Sequence, residues 1–90
     1  LLQQSGVSFE YLVKDNSRPT TRKTRVMTGQ HHLVRVDHEV RKSLSAQSEA
    51  SLLTVLEKNL QDIDVVVLED YAKGLLSQSL VQKILELCRK

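Results

Sequence analysis

The feature that most constrains the fold is the run Val65-Val66-Val67-Leu68, which is apolar at every position and β-branched at the first three. This pattern is typical of a strand in a parallel sheet that is covered on both faces. Such a strand needs hydrogen-bonded neighbours, because its N–H and C=O groups are buried with it. The sequence contains no second run of this kind. We therefore expect residues 1–90 to be an internal fragment of one larger domain whose other strands complete the sheet.

Helical periodicity flanks this predicted strand on both sides. Upstream, apolar residues recur every three or four positions and predict a helix that is capped by Ser45 or Ser48. The members of this stripe are Ala46, Ala50, Leu53, Leu56 and Leu60. The downstream stripe, behind a predicted N-cap at Ser77, consists of Leu80, Val81, Ile84, Leu85 and Cys88, and we expect Cys88 to be a small core residue. Residues 45–90 thus predict a helix–strand–helix unit of an α/β fold.

The N-terminal residues favour a helix end followed by a strand. Leu1 and Leu2 are predicted to close a helix that Gly6 terminates. Over residues 7–13 apolar and polar side chains alternate, which predicts a strand.

A β-hairpin is predicted next. Residues 15–19 carry a dense turn signal, and the runs 20–28 and 31–39 both favour extended structure. The break at Gly29 between these two runs predicts a hairpin turn. Together with the preceding strand, residues 9–39 are expected to form a three-stranded antiparallel region.

Composition excludes several classes of function. The chain carries 13 Lys or Arg against 11 Asp or Glu, and this net charge of +2 is too small to make nucleic acid the default partner. No aromatic residue lies within the basic stretch, so the hairpin offers no base-stacking platform. The longest apolar run is too short to span a bilayer, and no export signal is visible. Cys88 is the single cysteine, which fits a reducing compartment, and we expect a cytoplasmic protein without membrane partners.

The strongest candidate for a ligand site is the loop Glu69-Asp70-Tyr71-Ala72-Lys73-Gly74. It follows the predicted core strand, and open α/β sheets bind ligands at the carboxyl ends of their strands. Lys73 can neutralise a phosphate, Asp70 can accept hydrogen bonds from sugar hydroxyls, and Gly74 permits a close backbone approach. The alternative is a polar connection in which Lys73 is solvated and Tyr71 covers the edge of the core.

The basic hairpin is the second candidate, since residues 17–36 contain no acid. Lys23 and Arg25 project from one face of the predicted strand, an arrangement that suits a phosphate or carboxylate. Arg35 and Asp37 also share a face, and they pair either with each other or across the hairpin. The alternative is a solvated surface whose charges discourage aggregation.

The three histidines do not predict a metal site. His31 and His32 point to opposite faces of a strand, and His38 lies about 20 Å from His32 along it. The sequence also lacks a Gly-rich phosphate loop, a Ser-His-Asp order and a cysteine-pair motif.

Three segments of the chain resemble the middle of the ribokinase-like (PfkB-type) carbohydrate kinases. They are Pro-Thr-Thr-Arg-Lys-Thr-Arg-Val at 19–26, Leu-Val-Arg-Val-Asp-His-Glu at 33–39 and Asp-Tyr-Ala-Lys-Gly at 70–74. Their order and spacing are most similar to those of the D-glycero-β-D-manno-heptose 7-phosphate kinases, the kinase part of bacterial ADP-heptose synthases. The resemblance covers nearly the whole chain, and the first and third segments are its more specific parts.

The resemblance implies a three-layer α/β fold in which helices flank a central, mainly parallel sheet and a small β-sheet forms a lid over the sugar. Residues 9–39 would supply antiparallel lid strands and residues 45–90 a helix–strand–helix piece of the core, with a homodimer formed through the lid. The implied reaction transfers the γ-phosphoryl group of ATP, with Mg²⁺, to the anomeric hydroxyl of heptose 7-phosphate for lipopolysaccharide core biosynthesis. The implied substrate-binding residues are Lys23, Arg25, Arg35, Asp70, Tyr71, Lys73 and Gly74.

Several motifs of this family have no counterpart in the sequence: the N-terminal Gly-rich sugar segment, the Gly-Ala-Gly-Asp motif with the catalytic aspartate, and the Asn-x-x-Glu motif associated with ATP and magnesium. We therefore expect the segment to be inactive by itself, and we assign no catalytic, ATP-binding or metal-binding residue within it. Two alternatives stay open. The parent is a kinase of the same fold for another sugar or sugar phosphate, or the chain is a small binding module that captures an acidic partner through its hairpin.

Overall fold

The structure, a computed structural model, describes residues 2–90, so Leu1 and its share of the predicted helix end lie outside the described part. The elements, in chain order, are strand β1 (Arg22–Thr28), strand β2 (His31–His38), helix α1 (Ala46–Asn59), a 3₁₀ turn (Leu60–Asp62) and helix α2 (Gln78–Cys88). The predicted mixture of helices and strands is therefore present. None of the helices within residues 2–90 is both long and apolar enough to cross a membrane.

The chain before the hairpin turns sharply at Gly6. The amide of Val7 donates to the carbonyl of Leu2 at 2.9 Å, and the amide of Gly6 donates to the carbonyl of Gln3 at 3.2 Å. Nested bonds of this kind close the end of a helix at a glycine. Residues 2–6 form only a turn, so the stop at Gly6 is present without the helix predicted before it.

The strand predicted over residues 7–13 is wrong, because this segment belongs to no sheet in the structure. The amide of Leu12 donates to the carbonyl of Phe9 at 3.2 Å and closes a turn in the middle of the segment. Alternation of apolar side chains fits a strand, but a strand also needs a partner, and none pairs with this segment among residues 2–90. The predicted three-stranded region is thus a two-stranded hairpin.

Strands β1 and β2 form the predicted hairpin. They pair antiparallel, with Arg22 opposite His38 at the open end. Gly29 has a φ of 59° and supplies the positive φ that the tight turn requires. A shift in register between Val26 and Met27 leaves β2 one residue longer than β1.

Both helices begin at predicted serines. The Ser45 hydroxyl accepts a hydrogen bond from the Ser48 amide at 3.1 Å, so Ser45 is the N-cap of α1 and Ser48 lies inside the helix. The Ser77 hydroxyl accepts a hydrogen bond from the Leu80 amide at 3.1 Å and caps α2. Local side-chain chemistry therefore sets the start of each helix.

The apolar core is small and lies on α2. Leu80 (0% exposed) and Ile84 (3%) are the buried hydrophobic residues of the described chain. An ion pair of 2.6 Å between Lys83 and Glu49 joins α2 to α1. Cys88 is exposed, and the prediction that it belongs to the core is wrong, because the last turn of α2 borders an open groove instead of a packed face.

The core strand predicted over residues 65–68 does not form within this chain. Val65 and Val67 are 73% and 81% exposed. The segment makes no backbone–backbone hydrogen bond with any residue from 2 to 90, since the two strands of the chain pair with each other and neither runs beside it. The pattern is that of a buried strand, whereas the neighbours that would bury it are absent from the described residues.

A polar network anchors the turn before the hairpin to the start of α1. The Asp15 carboxylate accepts hydrogen bonds from the Ser17 amide at 2.8 Å and the Ser17 hydroxyl at 2.5 Å. Its other oxygen accepts from the Ser45 hydroxyl at 3.2 Å. Hydrogen bonds, that of the Ser17 hydroxyl first, hold the pKa of Asp15 well below its usual range. Asp15 therefore sits as a carboxylate at a helix N-terminus, where the helix dipole favours negative charge.

Asp15→Asn is expected to lower the free energy of unfolding at neutral pH and to matter less in acid. A carboxylate whose pKa falls on folding contributes stability above its unfolded pKa of about 3.9 and loses that contribution as the pH drops toward the folded value. Urea unfolding, followed by circular dichroism at about pH 6 and about pH 3, should show a wild-type advantage that shrinks at the lower pH.

The matched control is Asp64→Asn, since the Asp64 side chain makes no hydrogen bond or ion pair with residues 2–90. This variant should unfold like the wild type at both pH values. If Asp15→Asn lowered the free energy of unfolding equally at both pH values, the stabilising role of the Asp15 carboxylate would be contradicted.

Candidate functional site

One face of the hairpin gathers the cations predicted to bind an anion. Lys23 lies opposite Asp37, and Arg25 lies opposite Arg35. Lys23 Nζ is 3.1 Å from one Asp37 oxygen, and Arg35 Nε is 3.1 Å from the other. Asp37 thus pairs both with its neighbour on β2 and across the hairpin, so both of the pairings left open by the sequence occur.

Arg25 is the cation of this face that lacks an acidic partner within residues 2–90. It faces Arg35 across the strands, and like charges directly opposite each other destabilise a hairpin. Lys23 first, and then Arg35, lowers the pKa of Asp37, so this carboxylate stays charged. Three cations around one carboxylate leave excess positive charge on an exposed surface, and a phosphate would relieve the repulsion between the arginines.

The loop after the predicted core strand holds its own shape. The Ala72 amide donates to Asp70 Oδ1 at 2.9 Å, and Ala72 takes a φ of 58° that non-glycine residues seldom adopt. The Tyr71 hydroxyl donates to a Glu69 oxygen at 2.6 Å, and this bond raises the pKa of Tyr71. Asp70 therefore shapes the loop backbone, while the exposed ring of Tyr71 remains available to a ligand.

Lys73 turns back toward the base of the hairpin. Its Nζ lies 2.6 Å from Glu39 Oε2, and its carbonyl accepts a hydrogen bond from Arg18 Nη2 at 3.3 Å. Arg41 binds the other oxygen of Glu39 at 3.0 Å. Lys73 first, and then Arg41, lowers the pKa of Glu39 and keeps it ionised. The predicted phosphate partner Lys73 is therefore held by a carboxylate in this structure.

Sequence reasoning missed Glu39 and Arg18. The available signal was weak: an acid stands at the end of the second extended run, and a basic residue precedes the only proline. Neither position indicates that both residues meet Lys73, because those contacts depend on how the two ends of the hairpin meet the loop in three dimensions.

Gly74 lies against the chain that follows the hairpin. A Cβ placed on Gly74 would be 2.8 Å from the carbonyl carbon and oxygen of Lys42. The close backbone approach that the sequence predicted at Gly74 is present, and its partner is the chain itself.

The structure thus divides the predicted site residues into two groups. Three belong to the cationic face of the hairpin, and four belong to the loop. The first group is Lys23, Arg25 and Arg35; the second is Asp70, Tyr71, Lys73 and Gly74. Glu39, one residue beyond β2, connects the two groups through Lys73.

Comparison with known proteins finds relatives that share one name. The chain is 45% identical over 76 residues to the bifunctional protein HldE of Azorhizobium caulinodans, an alignment that covers 84% of the chain and 16% of the relative. It is 36% identical over 84 residues to HldE of a Nitratiruptor species, and this alignment covers 93% of the chain and 18% of the relative. It is 37% identical over 89 residues to HldE of Helicobacter pylori, with 99% of the chain and 19% of the relative covered. The chain spans less than a fifth of the length of these curated relatives.

No protein-family model and no solved structure matches the chain.

Gly74→Ala is expected to lower the free energy of unfolding more than Gly29→Ala. Both glycines have a positive φ, at which alanine costs about 1 kcal/mol. A Cβ at position 74 would also meet the Lys42 backbone at 2.8 Å, whereas a Cβ at position 29 would meet nothing within 4 Å. Urea unfolding of the two variants in one buffer measures the difference, and equal losses would show that the approach of Gly74 to Lys42 contributes nothing.

Proposed function

The chain is homologous to a segment of the bifunctional HldE proteins, and on this basis we propose that it forms part of an ATP-dependent carbohydrate kinase. The proposed substrate is D-glycero-β-D-manno-heptose 7-phosphate, phosphorylated at its anomeric hydroxyl in ADP-heptose and lipopolysaccharide core biosynthesis. The Pro-Thr and Asp-Tyr-Ala-Lys-Gly segments, which resemble those of heptose 7-phosphate kinases, support this choice. The activity belongs to the longer protein, in the cytoplasm, and the 90-residue segment is expected to be inactive alone.

The observation that carries the proposal is the pair Arg25 and Arg35 on the hairpin. Two arginines stand opposite each other, with Lys23 beside them and one carboxylate among them. A sugar phosphate brings the negative charge that this surface lacks, and guanidinium groups bind phosphate oxygens in a bidentate manner. A neutral sugar would leave the repulsion between the arginines uncompensated.

Phosphoryl transfer depends mainly on positioning and on neutralising charge. In the proposed complex the hairpin cations bind the phosphate that the sugar already carries. Asp70 and Tyr71 present a carboxylate and a phenol to the sugar hydroxyls, and the Lys73 ammonium, which is paired with Glu39 in this structure, donates to the sugar phosphate from the loop. These residues bind and orient the sugar, while the catalytic base comes from outside residues 1–90.

ATP and Mg²⁺ are proposed as cofactors of the longer protein. The described residues do not fit a metal ion, because residues 2–90 contain no group of three His, Cys, Asp or Glu side chains that could hold one. The main motifs that bind the nucleotide and the metal are proposed to lie outside residues 1–90, and the proposed role of this segment is to bind the sugar phosphate.

The proposed fold is the three-layer architecture of the ribokinase-like kinases. Residues 65–68 would become a strand of its central sheet, and the groove between this segment and the end of α2 would be filled by the rest of the domain. The face of the hairpin opposite the cations exposes Val26, Val34 and Val36, which suits contact with the lid of a second subunit. A homodimer through this face is part of the proposal.

The direct test measures ADP release from ATP and magnesium by the longer protein that contains this segment. Heptose 7-phosphate, fructose 6-phosphate and ribose are offered separately. Selective turnover of the heptose phosphate is the expected result. Turnover of another sugar alone would keep the kinase class and overturn the substrate, and a folded protein that phosphorylates none of them would contradict the proposal.

Arg25→Gln in the longer protein should raise KM for the sugar phosphate about tenfold, because the substitution removes a guanidinium group that hydrogen-bonds the phosphate. Lys58→Gln is the control: Lys58 is an exposed cation in the last turn of α1 and lies on neither face of the hairpin. It should leave KM within about twofold of the wild-type value, since exposed charges away from a site have small effects. Equal increases in KM for both variants would contradict the assignment of the cationic face.

A further inference from the structure

The base of the hairpin and the candidate substrate loop are joined by one carboxylate. Glu39 follows β2 directly, and its side chain is 14% exposed. Its two oxygens bind different partners, Lys73 at 2.6 Å and Arg41 at 3.0 Å. Arg41 is a near neighbour in sequence, whereas Lys73 lies in the loop after the predicted core strand. Of these two ion pairs, only the one with Lys73 connects separate parts of the fold.

Two further contacts hold the same loop against the hairpin base. Arg18 donates a hydrogen bond to the Lys73 carbonyl at 3.3 Å. Gly74 packs on the backbone of Lys42, which follows the hairpin. The Lys73 side chain is 26% exposed, so its ammonium group is partly withdrawn from water and depends on Glu39 for compensation. The ion pair therefore sets where the Lys73 side chain points, and together with the other two contacts it holds the loop against the hairpin base.

We infer that Glu39 is a positioning residue that acts through Lys73 to hold the loop of residues 70–74 in place at the base of the hairpin. The functional part of this inference rests on the proposed function, because the loop and the hairpin cations are the groups proposed to bind the sugar phosphate. A lysine held in one geometry before the substrate arrives loses less side-chain freedom on binding, which strengthens binding. Loss of Glu39 should therefore affect substrate binding more than the rate of the chemical step.

A test that does not depend on activity is tryptic cleavage of the Lys73–Gly74 bond in the longer protein, followed by mass spectrometry. Glu39→Gln keeps the size of the side chain and removes its charge, so the loop should open more often and cleavage should accelerate about fivefold or more. Arg41→Gln is the control, since Arg41 binds the same carboxylate from an exposed position (68%) and forms its ion pair with Glu39 rather than with the loop. It should leave the cleavage rate within about twofold of the wild-type rate. Unchanged cleavage in Glu39→Gln, or equal acceleration in both variants, overturns the inference.

The kinetic test is a double-mutant cycle with Glu39→Gln and Lys73→Met. Glu39→Gln should raise KM for the sugar phosphate about tenfold and leave kcat within about twofold. The double variant should bind the substrate no worse than Lys73→Met alone, because Glu39 acts through Lys73. Effects that multiply in the double variant would show that Glu39 acts independently and would overturn the positioning role.

The two tests separate the inference from the proposed function. If the wild-type protein turns over no sugar phosphate but Glu39→Gln accelerates cleavage, the proposed function fails and the structural link from Glu39 to the loop holds. If turnover is normal and cleavage is unchanged, the inference fails and the proposed function holds.

Discussion

The constraint on which the rest of the structure depends is the lack of partners for residues 65–68. An apolar, β-branched segment is stable as a strand only when neighbouring strands bind its N–H and C=O groups. Within the described chain those neighbours are absent, and the segment is exposed. The chain is also less compact than a complete domain: its radius of gyration is 16.6 Å, whereas a compact domain of this length has about 12 Å. The chain therefore presents much of its apolar surface to water.

Because the apolar core is small, a few polar contacts hold the separate segments of the chain together. Asp15 ties the turn before the hairpin to the cap of α1, and Glu49 pairs with Lys83 between the helices. Glu39 ties the hairpin base to the loop of residues 70–74. Each link is a carboxylate that meets a donor from a distant part of the chain. This arrangement places the candidate site at a junction, where the hairpin and the loop are brought together by charge rather than by apolar packing.

The elements that sequence predicts correctly are those that depend on local chemistry. Ser77 caps α2 because its hydroxyl needs only the amide of Leu80, three residues later, as a hydrogen-bond donor. Gly29 allows the hairpin turn because glycine adopts a positive φ without steric cost. The strand predicted over residues 7–13 is wrong because alternation predicts a strand but not its partner. Cys88 lies on the apolar stripe of α2, yet its exposure is decided by what packs on the helix end.

In the candidate site, too, the features set by local sequence could be predicted and those set by distant contacts could not. The shared face of Lys23 and Arg25 follows from strand periodicity and could be predicted, as could a ligand-suited loop after an apolar strand. The register that sets Arg25 opposite Arg35 depends on the bulge at Val26 and Met27. The contact between Glu39 and Lys73 depends on the folding of distant segments. No periodicity in the sequence encodes either of these features.

The most direct test of this account compares amide hydrogen exchange at residues 65–68 in the 90-residue chain and in the longer protein that contains it. If further strands complete the sheet, these amides exchange freely in the short chain and are protected about a thousandfold or more in the longer protein. Equally fast exchange in both would show that residues 65–68 are not a core strand, and would contradict the proposal that this chain is one piece of a larger α/β domain.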